Sequence, residues 1–271
     1  MITSNISLKN FKINKKKIKI KKKLNLLLKE KNYILLSLSK KYKDSFNKKK
    51  LVKYKKFSNL VIFGMGGSSL GIQAIGGFLK HKIKKKIIFF DNLQNKKIDN
   101  DKKNLNIIIS KSGNTIETIV NSNIFIKKND HNIFITENKK NYLHLMAQKL
   151  KADIIHHNNY IGGRYSVLSE VGMLPAELMG LKSSHFRQFN KLVENKRFLQ
   201  SIVQSVSSTL FFLKNKKFNS IILNYDESSQ NLFYWYQQLV AESLGKKNKG
   251  LLPIVSSMPK DNHSVMQLYL D

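Results

Sequence analysis

The sequence predicts an α/β protein, a three-layer sandwich built around a parallel sheet, and three observations lead there. Short apolar runs at 60–63, 87–90, 107–109 and 133–135 end abruptly at glycine or polar residues, as strands buried on both faces do. The segments between them are long enough for one helix each, and strands alternating with helices make a parallel sheet covered on both sides. Two of the runs lead directly into turns rich in glycine, serine and threonine, the usual furniture of the carboxyl edge of such a sheet.

In chain order, residues 1–50 read as an N-terminal helical region, since 24–39 carries apolar residues at helical spacing with lysines between them. Residues 51–185 hold the four apolar runs and form a complete first subdomain. A helical stretch at about 192–213 lies within a connecting segment, 186–217. Residues 218–271 then repeat the general pattern: a strand at 220–223, a long helix at 229–244, a strand at 251–255 and a helix starting near 262. Two strands make a poor free-standing sheet, so the second subdomain is expected to be incomplete and the chain to be a piece of a longer protein.

Composition narrows the function classes. With 271 residues, 41% hydrophobic and 24% charged, the chain can bury a sizeable core, which excludes disorder throughout. It contains no cysteine, so disulfide frameworks, thiolate metal sites and cysteine nucleophiles drop out. No apolar run approaches the roughly 18 to 20 residues needed to span a bilayer, and lysines stand where a secretory signal needs an apolar stretch. A soluble cytoplasmic protein without membrane contact is expected. The net charge is +32, yet only Arg164, Arg187 and Arg197 are arginine, and 20 lysines against Glu30 and Asp44 fall within residues 1–56. Proteins that read nucleic acid draw on arginine for bidentate contacts, so a solvated lysine coat is expected here and a specific nucleic-acid partner is not.

Two turns carry chemistry. Gly64-Met65-Gly66-Gly67-Ser68-Ser69-Leu70-Gly71 follows the first strand and opens a helix; it reads as a cradle for phosphate or polyol oxygens, where backbone N–H groups approach an anion, or as a tight turn and nothing more. Its spacing is not G-x-G-x-x-G and no Gly-Lys-Ser/Thr follows, so neither nucleotide fingerprint fits. Ser110-Lys111-Ser112-Gly113-Asn114-Thr115-Ile116-Glu117-Thr118 follows the third strand. Three hydroxyls and an ammonium there suit a phosphate monoester, while helix capping by Ser112 or Thr115 is the plainer alternative.

Together these motifs resemble the sugar isomerase domain and, within it, the phosphoglucose isomerase family. The resemblance extends to Gly162-Gly163-Arg164-Tyr165-Ser166 and to the helix end Gln237-Gln238-Leu239-Val240-Ala241-Glu242-Ser243-Leu244-Gly245-Lys246, four motifs in the right order from residue 64 onward. It implies a homodimer that interconverts glucose 6-phosphate and fructose 6-phosphate through a cis-enediol, with no metal or other cofactor. By the same resemblance Glu242 is the base, His263 assists ring opening from the neighbouring subunit, and Arg164 stabilises negative charge on the reacting oxygens. Gly66, Gly67, Ser68, Ser110, Lys111, Ser112, Thr115 and Gln238 would bind the phosphosugar.

The residues themselves leave several of these roles open. A lone arginine among lysines signals a need for a planar fork, whether for a substrate oxygen or a buried carboxylate. Gln238 and Glu242, four apart, share one helix face, an arrangement equally common in a solvated stripe. Burial of Glu242 against the apolar side of its helix would raise its pKa toward a value suited to proton abstraction. His156 and His157 are neighbours that point apart on a strand and bring no further ligand pattern with them. The family's C-terminal lysine helix has no counterpart in the sequence, so weak activity of the 271-residue chain is expected. A phosphosugar-binding module without catalysis, or an isomerase that also accepts mannose 6-phosphate, are the alternatives.

Overall fold

A computed structural model describes residues 18–93, 104–246 and 250–271; the first 17 residues of the expected N-terminal helical region lie outside it. Helices α1 (Ile18–Lys29) and α2 (Tyr33–Ser37) come first. They are followed by β1 (Asn59–Phe63), α3 (Leu70–Phe78), β2 (Lys86–Phe90), β3 (Asn104–Ile109), α4 (Ile116–Phe125), β4 (His131–Glu137), α5 (Tyr142–Lys149) and β5 (Asp153–His157). After a 3-10 turn at Gly163–Leu168 come α6 (Glu170–Leu178), α7 (Phe189–Val193) and α8 (Lys196–Lys214). The last part holds β6 (Asn219–Asn224), α9 (Gln230–Leu244), β7 (Leu252–Ser257) and α10 (Met266–Leu270).

Among the described residues, five strands form a parallel sheet in the order β2-β1-β3-β4-β5. Alternate side chains serve two cores, as the two-residue period of a strand requires. Leu60, Ile62, Leu105, Ile107 and Ile109 face α3, α6 and the segment 46–57, whereas Val61, Phe63, Ile108 and Phe134 face α4 and α5. The three-layer arrangement is therefore as expected.

The strand count differs from the sequence reading by one. β5 was not among the apolar runs because it lies at the sheet edge and contributes only Ile154 and Ile155 as apolar side chains, both half-buried. Residues 94–103, part of the expected second crossover, lie outside the described residues. The helix expected from 262 is split into a 3-10 turn at Lys260–His263 and the short α10, with the break at Ser264 and Val265. Asp261 accounts for the turn: its carboxylate accepts hydrogen bonds from Ser256 Oγ at 2.7 Å and from the Ser257 N–H at 2.8 Å, which folds the chain back toward β7.

Strand order locates a crevice at the carboxyl edge of the sheet. From β1 the chain crosses through α3 on one face to β2, and from β3 through α4 on the other face to β4. The turns leaving β1 and β3 consequently diverge and leave a crevice between them, the topological switch point of an open α/β sheet. The second, two-stranded parallel sheet β6-β7 lies beyond α9, and α9 packs against α3 of the first.

The segment before β1 is locked into the first core. Arg187 pairs with Asp44 through both terminal guanidinium nitrogens and also donates to the Leu168 carbonyl at 3.0 Å, with its plane over the Tyr42 ring. Arg187 is buried and the Asp44 side chain is nearly so. Removing one of them strands a charge out of water, which costs about 3–5 kcal/mol, whereas an apolar pair of similar volume is often neutral. Arg187→Met should therefore lower stability in urea by about that amount, and Asp44→Leu combined with Arg187→Met should recover most of it.

Candidate functional site

The crevice opens into a cleft of about 420 Å³ lined by Met65, Gly66, Gly67, Ser68, Lys111, Ser112, Thr115, Glu137, Gly163, Arg164, Gln238 and Glu242. Five separate stretches of chain thus meet at one place.

The β1 turn reaches the cleft by close backbone approach. A β-carbon on Gly67 would lie 2.3 Å from the Gly163 carbonyl carbon, so only glycine lets the two turns touch. Ser166 seals the junction, its hydroxyl lying 2.7 Å from the Gly163 carbonyl and 3.2 Å from that of Gly67.

The β3 turn is held from behind. Gly113 has φ +69°, and a β-carbon there would meet Asn141 at 2.0 Å. Asn141 caps α5 by accepting from the His144 N–H, and the Gly113 carbonyl accepts from the Leu143 N–H. Ser110, expected among the phosphate ligands, is 2% exposed and does not line the cleft. Its Oγ lies 2.8 Å from Thr115 Oγ1 and accepts from the Gly113 N–H, so it braces the turn from beneath. Thr115 is the N-cap residue of α4, yet its hydroxyl makes no capping bond. Ser112 Oγ accepts only from the Asn114 N–H, at 3.3 Å, apart from a long contact with Ser110. Neither hydroxyl is consumed by capping the helix, and both face the cleft.

Lys111 is doubly tethered: its Nζ donates to the Asn159 carbonyl at 2.8 Å and lies 3.4 Å from Glu137 Oε1. Glu137 is a cleft residue that the sequence reading missed. It sits at the carboxyl end of β4, two positions past the run 133–135, and the rule that places ligands at that edge would have found it. Burial works to raise its pKa, but hydrogen bonds from Lys139 and Lys111 prevail and hold it below the ordinary carboxylate value.

The opposite wall comes from the 3-10 turn and α9. Arg164 Nε donates to Ser243 Oγ at 3.0 Å and its NH1 to Glu242 Oε2 at 3.3 Å, with the guanidinium over the Tyr165 ring. Gln238 Nε2 donates to Glu242 Oε1 at 2.7 Å, and Gln238 Oε1 is buried without a hydrogen-bond partner. One helix face therefore delivers both residues, as their spacing anticipated. The burial expected for Glu242 is absent: its side chain is 47% exposed and its neighbours are a guanidinium and an amide, not the apolar side of α9. Ser243, which ties Arg164 to Tyr165, was also missed as an individual contributor.

His263 is exposed in the turn before α10 and does not line the cleft. His157 is buried and His156 exposed on β5. No group of three or more histidine, aspartate or glutamate side chains able to hold a metal occurs among the described residues.

The family model for phosphoglucose isomerase matches residues 35–251. The chain belongs to the phosphoglucose isomerase family. All four cleft motifs fall inside the family match, whereas His263 lies beyond it. Glucose-6-phosphate isomerase from Methanocaldococcus jannaschii is 33% identical over 252 residues, a match covering 85% of this chain and 62% of that protein. Glucose-6-phosphate isomerase from Campylobacter jejuni is 30% identical, covering 79% and 57%. The chain thus spans roughly three-fifths of the length of these phosphoglucose isomerase relatives. A hypothetical protein from Thermus thermophilus shares the fold at a TM-score of 0.74 and 22% identity, over 93% of this chain and 66% of that one.

Two outcomes are expected from the geometry. Gly67→Ala should push the β1 turn off Gly163 and lower stability by about 1–3 kcal/mol, the usual range for overpacking, measured by urea unfolding; unchanged stability would contradict the contact. Because the folded pKa of Glu137 is depressed, its pairing stabilises the fold above the unfolded carboxylate pKa and that contribution disappears as pH falls through the folded value. Glu137→Gln should accordingly flatten part of the acid limb of a stability–pH profile.

Proposed function

We propose that the chain binds a hexose 6-phosphate in this cleft and moves a proton between its C1 and C2, interconverting glucose 6-phosphate and fructose 6-phosphate. The observation that carries this reading is the contact of Glu242 and Arg164 on the wall opposite the Ser112 and Thr115 hydroxyls. Ser112, Thr115 and the backbone of Gly66, Gly67 and Ser68 would hold the phosphate, with Lys111 adding charge and Ser110 bracing them. Gln238 contributes an amide beside Glu242, its Nε2 donating to the carboxylate.

In the open-chain aldose, Glu242 takes the proton from C2, leaving an enediolate, and a proton from solvent on the C1 oxygen gives the cis-enediol. The carboxyl then returns its proton to C1 while the C2 hydroxyl releases its own to solvent, leaving the ketose. A sugar entering between Glu242 and Arg164 presents its C–H to the carboxylate and its oxygen to the guanidinium, where preorganised positive charge stabilises the enediolate. Glu242 works here as a half-exposed base oriented by hydrogen bonds.

The two parallel sheets support a division into two sugar isomerase subdomains, 51–185 and 218–271, joined by 186–217. We further propose a homodimer in which His263, exposed and away from its own cleft, serves the partner's site in ring opening. A cytoplasmic location belongs to the same proposal. No described helix is long and apolar enough to cross a membrane.

Incubation with fructose 6-phosphate in deuterated water should bring deuterium onto C1, detected by NMR, even at low turnover. Glu242→Gln should abolish that exchange. Arg164→Ala should slow it by hundreds of fold, as expected for losing about 3 kcal/mol of transition-state stabilisation; near-normal exchange would remove Arg164 from the mechanism. Thermal stabilisation by fructose 6-phosphate with no deuterium uptake would leave a binding module in place of an isomerase.

A further inference from the structure

Behind the cleft, two buried side chains grip a single backbone residue. Glu170, 1% exposed at the start of α6, accepts from the Asn158 N–H at 2.5 Å through Oε1 and from the Tyr42 hydroxyl at 2.8 Å through Oε2. His157, the last residue of β5, places Nδ1 2.9 Å from the Asn158 carbonyl. A carbonyl only accepts, so Nδ1 carries the proton. The same nitrogen is 4.0 Å from Glu170 Oε1. Both backbone polar groups of Asn158 are thus held from one side by residues that never reach the cleft.

The stretch of chain just past Asn158 gives this arrangement its meaning. Asn159 offers the carbonyl that receives Lys111, and four residues later Gly163 meets Gly67 and leads into Arg164. A carboxylate and an imidazole removed from water are costly unless fully partnered, and filling space alone would be served by apolar side chains. Burial also holds His157 below its ordinary pKa, which favours the neutral ring that donates through Nδ1.

We propose that Glu170, acting with His157, is a positioning residue for the cleft: its clamp on Asn158 sets the turn 158–163, and through it the Lys111 ammonium and the Arg164 guanidinium. The ligand arm of the test rests on the phosphosugar reading, whereas the backbone arm does not. The variants are Glu170→Leu, the conservative Glu170→Gln and the milder Tyr42→Phe. Amide hydrogen exchange is measured by mass spectrometry, and fructose 6-phosphate affinity by calorimetry.

For Glu170→Leu, exchange should rise about tenfold or more across 158–164 with β1, β3 and β4 unchanged, and affinity should fall about tenfold, the loss expected when a hydrogen bond to a charged group is removed. Glu170→Gln, which keeps the acceptor for Asn158, should restore both. Tyr42→Phe should give the same local pattern at lower amplitude and decides the matter if Glu170→Leu does not fold. A merely structural role predicts faster exchange everywhere and unaltered affinity of the folded fraction. That result, or unchanged exchange at 158–164, overturns the proposal. If the unmodified chain binds no fructose 6-phosphate, the phosphosugar reading fails and the exchange pattern alone judges the clamp.

Discussion

The contact between Gly67 and Gly163 governs the candidate site, because it brings two backbones within a distance that no β-carbon tolerates. One backbone leaves β1 at the switch point of the sheet; the other is about to deliver Arg164. With the contact made, the guanidinium stands over the crevice and its own carbonyl receives the Trp235 indole N–H from α9 at 3.3 Å. The position of α9 relative to the first sheet, and with it the reach of Glu242 and Gln238, is referred back to this junction. The hydroxyls of the β3 turn need a different device, a left-handed glycine pressed against an asparagine that caps the next helix.

Much of this was legible in the residues. The strands 60–63, 107–109 and 133–135 are apolar without interruption because both faces are covered, and uninterrupted apolar runs are the plainest signal a parallel sheet emits. The motif glycines were visible for the same reason: a turn that must admit another backbone leaves no room for substitutes. β5 is not legible as a run because an edge strand needs fewer apolar side chains, and its Ile154 and Ile155 look like any pair within a loop.

Individual side chains in the cleft were less legible where their role depends on the third dimension. Ser110 and Ser112 look alike as hydroxyls of one motif, yet one is turned inward against Thr115 and the other outward. Glu137 carries no motif; its place at the carboxyl end of a strand was legible, but its pairing with Lys111 follows only from the alignment of β4 beside β3. The environment of Glu242 could not be read from its helix because its partners lie 78 residues away in Arg164 and one turn away in Gln238. Helical spacing places a side chain on a face but says nothing of what stands opposite.

The division of labour between the two sheets has a consequence of its own. The hydroxyls of the β3 turn travel with the first sheet and the Glu242 carboxylate with α9 of the second, so beyond the glycine junction the gap between them also depends on the apolar seam where Ile75 and Phe78 on α3 face Leu232 and Trp235 on α9. Swapping one aliphatic side chain for another in that seam resizes the gap without touching a polar atom. The geometry of the cleft can thus be retuned from a layer that does not line it.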